Sequence, residues 1–212
     1  TRTNAEIRRI LKLFAKSCYV GYTATPFANI FINHDAYDAD VHEELFPRHF
    51  IYCLDAPTTY FGPQKLYLDE ETSDRFTRTI TDCEPFIPHV HKRDHHIDDL
   101  LPSLYRALDQ FIVARAIRNL RGQVGRHCSM MVNVSRFVTI QKSVRDLLRV
   151  KEQKIRAAVL ANSAMPDSFS KSDGCMRGLR LAFDSEYAEA GFTWSEVKTA
   201  LPGVFEHLHL YV

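Results

Sequence analysis

Threonine hydroxyls at the end of an apolar run are the first groups in this chain whose type and spacing suit chemistry. In CYVGYTATPFANIFIN, residues 18–33, the run breaks at Thr23-Ala24-Thr25-Pro26 and restarts at once. A plain hairpin would use Asn-Gly or Gly-Asp there, because those residues accept the positive φ of a two-residue turn. Hydroxyls at the carboxyl end of a strand can donate to a phosphate or accept from a neighbouring loop, and Pro26 stiffens the exit. The same residues also suit a capped turn in which Pro26 opens a short helix.

Other groups invite a metal reading. His89, His91, His95 and His96 crowd the stretch HVHKRDHH, yet no Cys pair and no H-E-x-x-H helix accompanies them, so no metal site is assigned. Asp35, Asp38, Asp40, Glu43 and Glu44 suit a divalent ion or, more ordinarily, a solvated loop. Glu152-Gln153-Lys154 and Pro166-Asp167 are the ingredients of a metal-dependent nuclease site in reversed order. Glu152, beside Lys151 and Lys154, is expected on the polar side of a helix. His207 and His209 share one side of the terminal segment and suit packing or partner contact. No catalytic residue follows, since nothing in the sequence brings Ser, His and Asp or Cys and His together.

The elements that would position these groups alternate in period. Thr3-Asn4-Ala5-Glu6 is a capping-box pattern, with Ile7, Ile10, Leu11 and Phe14 at helical spacing behind it. Residues 18–23 read as a strand covered on both faces. From 33 to 97 the pattern loosens. HFIYCLD and KLYLD read as short strands, APTTYFGP as a loop, and CEPFIPHVHKRDHH as exposed and proline-punctuated. Asp98 is placed to cap a helix carrying Leu101, Leu104, Leu108, Phe111 and Ile112 as far as about Leu120. Residues 128–134 read as a second buried strand, followed by a long helix with Ile140, Val144, Leu147, Leu148 and Ile155 on one face. A helix through Leu179, Leu181 and Phe183, a second capping box at Thr193-Trp194-Ser195-Glu196, and a terminal strand alternating Leu208, Leu210 and Val212 with His207, His209 and Tyr211 complete the chain. Helices alternating with buried strands imply an α/β fold with a parallel sheet.

The composition, 45% hydrophobic and 25% charged over 212 residues, is that of an ordinary globular protein. No apolar run approaches the roughly 20 residues that span a bilayer. Five scattered cysteines without C-x-x-C spacing argue against a disulfide framework, and a cytoplasmic setting is expected. The net charge of +1 hides a segregation. Residues 33–74 carry ten acidic and two basic groups, whereas 106–156 carry twelve basic and three acidic. One part of the chain can therefore face phosphates.

The stretches VGYTATPFANIFI and SMMVNVSRFVTIQKSV, with LLPSLYRALDQFIVARAIR between them, resemble the Z-one (Z1) domain family, associated with endonuclease function in helicase-like proteins of restriction or defence systems. Thr23-Ala24-Thr25 is similar to motif III of superfamily-two helicases, and MMVNVSRF to motif IV. The resemblance implies RecA-like (P-loop NTPase/helicase-type) pieces. Residues 1–32 would close a first RecA-like domain, 33–97 would be an insertion or linker, and 98–212 would be a helix and the opening of a second. It further implies a DNA-processing ATPase of which this chain is a fragment, with a coupling loop at Thr23, Ala24, Thr25 and Pro26. Asn133, Ser135 and Arg136, together with Lys142, Arg145 and Arg149 on the long helix, would contact nucleic acid. ATP and magnesium are expected of the parent rather than the fragment, because no G-x-x-x-x-G-K-[ST] loop is present. DNA, the rest of the parent motor and restriction or defence proteins are the expected partners, with no membrane. The alternative is a non-catalytic interaction module whose basic helix docks an acidic protein.

Overall fold

Apolar residues at helical spacing dominate the second half of the chain, and they become helices there. The computed structural model describes all residues except 1, 26–30, 34–36, 39–41, 44, 47 and 171. They form two units, Thr1–Phe76 and Thr77–Val212.

In the first unit, α1 spans Arg2–Lys12. Thr3 lies inside this helix rather than capping it, and Ile10 and Phe14 of the expected apolar stripe are exposed. Residues 18–23 form no strand, and Tyr22 is 90% exposed; the expected buried strand is absent. A two-residue antiparallel pairing, β1 (Tyr37–Asp38) with β2 (His42–Glu43), is the sheet structure among the described residues. HFIYCLD forms no strand and is exposed. KLYLD is no strand either: Gln64–Leu68 makes one π-helical turn, closed by Asp69 N–H donating to the Gln64 carbonyl at 3.1 Å. Asp69 then accepts from the Thr72 N–H and hydroxyl at the start of α2, Glu70–Phe76.

The second unit is helical. Helix α3 (Pro102–Leu120) packs on α6 (Gly174–Glu186), on α7 (Trp194–Ala200) and on a 3₁₀ turn at Leu201–Glu206. Helix α4 (Val138–Asn162) packs on α6 and the same 3₁₀ turn, and a short α5, Asp167–Ser170, connects them. The core takes Ile112, Val113 and Ala116 from α3, Ile140, Ile155 and Val159 from α4, Leu179 from α6, and Val197 and Leu201. Leu181, expected on the buried stripe of α6, is 65% exposed because it lies across the helix from Leu179 and Phe183.

The α/β expectation with its RecA-like parallel sheet is overturned. Residues 128–134 and 208–212 are extended, as their alternation implied, but neither enters a sheet. Their inward side chains, among them Val132, Val134, Leu208 and Leu210, rest on the helices. Period-two patterning makes one face of a segment apolar; it cannot supply the neighbouring strand that a ladder needs.

Two caps also differ. Helix α3 begins after Leu101 with Pro102 in its first turn. Asp82, rather than Asp98, serves its start, accepting from Ser103 N–H at 2.8 Å and the Ser103 hydroxyl at 2.7 Å. The second capping box forms as the sequence predicts: Thr193 N–H donates to the Glu196 carboxylate at 2.7 Å, and Thr193 Oγ1 accepts from Glu196 N–H.

Candidate nucleic-acid interface

The residues expected to contact nucleic acid fall into two groups. Thr23, Ala24 and Thr25 belong to the first unit and are exposed, with Thr25 N–H donating to Thr23 Oγ1 at 3.0 Å; Pro26 lies outside the described residues. The other six surround the first half of α4.

Helical spacing orders the cations of α4. Lys142, Arg145, Arg149 and Arg156 follow one another by three, four and seven residues, so they share one stripe, about 21 Å long at 1.5 Å per residue. Lys142, Arg149 and Arg156 are exposed, and Arg145 is half-buried. Arg145 bonds Asp146 through Nε at 2.9 Å and Nη2 at 2.7 Å. Arg156 was not singled out from the sequence, although its spacing from Arg149 marks it.

Glu152 corrects the sequence reading: it is buried, not on the polar side. It sits where the stripe meets the core, and burial raises its carboxyl pKa against the opposing pull of Arg156 and Arg149.

The entrance to α4 is tied to the preceding segment. Ser135 is buried; its Oγ accepts from Phe137 N–H at 3.1 Å and lies 2.8 Å from His91 Nε2. His91 Nδ1 is 2.7 Å from the Pro88 carbonyl, which can only accept. In the neutral ring Nδ1 therefore carries the hydrogen, and the Ser135 hydroxyl donates to Nε2. Thr139 Oγ1 donates to the Arg93 carbonyl at 2.8 Å, and His95 Nε2 bonds the Phe86 carbonyl. The histidine-rich stretch is therefore not simply exposed: Ile87 and Ile97 are buried and His91 is half-buried. Ser135 is spent on this brace, whereas Arg136, 4.9 Å from the Phe137 ring centre, and Asn133 remain exposed.

An open groove of about 940 Å³ runs beside the stripe, with Arg145 and Asn133 in its lining. Met130, Val132, Leu208 and Leu210 line it from the two extended segments, and Arg115, Arg126, His127, His207 and His209 surround them. Arg115 fixes one wall by donating to the Arg126 carbonyl at 2.7 Å and the Val124 carbonyl at 2.6 Å. The sequence reading missed this groove, because it arises where segments about 80 residues apart come together.

Among the described residues no group of three or more His, Cys, Asp or Glu side chains is placed to hold a metal ion. No described helix is long and apolar enough to cross a membrane.

No curated protein and no solved structure matches the chain. The family model for the Z1 domain matches residues 103–212. That span begins one residue into α3 and takes in the basic stripe of α4, the groove and both extended segments. With more than half of its length matched in this way, the chain belongs to the Z1 domain family.

Proposed function

We propose that this chain supplies a DNA-contacting surface to a helicase-like, ATP-dependent endonuclease, and that the phosphate backbone runs along the exposed stripe of α4. The observation that carries this reading is the run Lys142, Arg145, Arg149 and Arg156 along one side of a single 25-residue helix. A rigid helix holds such cations in a fixed row, so a backbone of regularly spaced phosphates meets several at once. Arg136 and Asn133 extend the contact at the amino end of the helix. The Thr23-Ala24-Thr25-Pro26 loop serves to couple nucleotide state to the track, while ATP and magnesium belong to other parts of the parent protein. Contact through the backbone gives affinity without sequence preference.

Fluorescence anisotropy with labelled single- and double-stranded DNA across a salt series tests this. The four cations of the stripe together with Arg136 make five phosphate contacts, which predict a slope of log K against log salt of about −4.5 for duplex DNA. Replacing Lys142, Arg149 and Arg156 together by alanine, which leaves Arg145 and Arg136, should flatten it to about −1.8. These side chains are exposed, so the triple variant should keep the wild-type circular dichroism spectrum. Equal slopes in the two proteins would refute the assignment.

A further inference from the structure

The groove beside the stripe asks for a different occupant. Residues 127–134 and 208–212 are both extended, and both alternate, with one set of side chains on the core and the other facing out. Met131 is 88% exposed and Tyr211 84%. Among the described residues no hydrogen bond reaches the backbone N–H or C=O groups of either segment. Two strand-like segments along one groove thus present backbone groups without a protein partner, and backbone polar groups at a packed surface are usually paired.

Charge narrows the occupant. Three arginines and three histidines line the groove, and among the described residues no Asp or Glu side chain does. The floor is built from Met, Val and Leu side chains, with few aromatic faces on which bases would stack. We infer that this groove binds an extended, acidic polypeptide segment, apolar at alternate positions, which adds as a β-strand to the backbone of residues 128–134 or 208–212.

Strand addition accounts for what a nucleic acid would leave unused. Main-chain hydrogen bonds supply affinity, the inward alternate side chains fill the apolar floor, and carboxylates meet Arg126, Arg145 and the histidine edge. A polypeptide held this way would sit beside the DNA stripe, with Arg145 common to both surfaces.

The test uses the whole 212-residue chain and a synthetic probe, acetyl-Glu-Val-Thr-Val-Thr-Val-Glu-amide. Amide hydrogen exchange is followed residue by residue with the probe, with the same peptide N-methylated at alternate residues, with lysine in place of its glutamates, and with an oligo-dT strand. Amides within 128–134 or 208–212 should exchange rapidly in the free protein and slow by roughly tenfold or more with the acidic peptide. N-methylation, which removes donors without removing side chains, should abolish that protection, and the lysine peptide should weaken it. Three results would each overturn the inference: amides already protected in the free chain, an N-methylated peptide that protects as well as its parent, or protection by oligo-dT but not by the peptide. DNA binding through Lys142, Arg149 and Arg156 is read separately by the salt series and survives any of them.

Discussion

The ionised carboxylate of Asp109 should cost this protein stability at neutral pH that its protonated form does not cost. It sits on α3, 7% exposed, against Gly178 of α6, and its Oδ1 has no hydrogen-bond partner. Burial pushes its carboxyl from 3.8 up to about 6, opposed only by the charge of Lys151. A group whose pKa is raised on folding contributes stability below its unfolded pKa and loses it as pH climbs through the folded value. A shift of about two units corresponds to about 3 kcal/mol, of which roughly 2.5 is lost between about pH 4 and about pH 7.5. Asn at this position has the same shape and no ionisation. Asp109→Asn should therefore gain about 2 to 3 kcal/mol near pH 7.5 and little near pH 4. Urea unfolding followed by fluorescence of Trp194 reads the right unit, because it is the chain's single tryptophan and is buried in the same core. The quantity that matters is the difference between the two proteins at each pH, since other titrating groups cancel in it. Parallel stability curves, or a variant less stable at pH 7.5, would refute the argument that this carboxylate is ionised at a cost.

Two further outcomes follow from the packing. A Cβ on Gly178 would lie 2.6 Å from Asp109 Oδ2, so Gly178→Ala should cost about 1 to 3 kcal/mol in urea unfolding. In an Asp109→Ala background most of that cost should vanish, and persistence of the full cost would show that the clash is not with Asp109. Lys198 is buried, and its Nζ donates to Asp167 Oδ1 and the Met165 carbonyl at 2.6 Å each. Removing the carboxylate with Asp167→Ala leaves a buried ammonium and should cost about 2 kcal/mol, whereas Lys198→Met should cost less. A larger loss from the methionine variant would contradict this.

Helices α3, α4 and α6 and the Thr193–Glu196 capping box were legible in the sequence because each depends on neighbours within one turn. Leu108 and Ile112, or Ile140, Val144 and Ile155, mark a buried face by spacing alone. The basic stripe of α4 was legible for the same reason. Whether residues 128–134 join a sheet was not, since alternation describes one segment and pairing requires two. Nor could local sequence place Ser135 under His91, bury Glu152 within a row of cations, or set Asp109 against a glycine 69 positions away. The sequence by itself determined that residues 102–120, 138–162 and 174–186 coil and, Leu181 apart, which face of each is apolar, because those preferences act over a few residues. Only the tertiary structure decided which polar groups are withdrawn from water and where two extended segments meet to form a groove, because burial and electrostatic cost depend on groups brought together from distant parts of the chain.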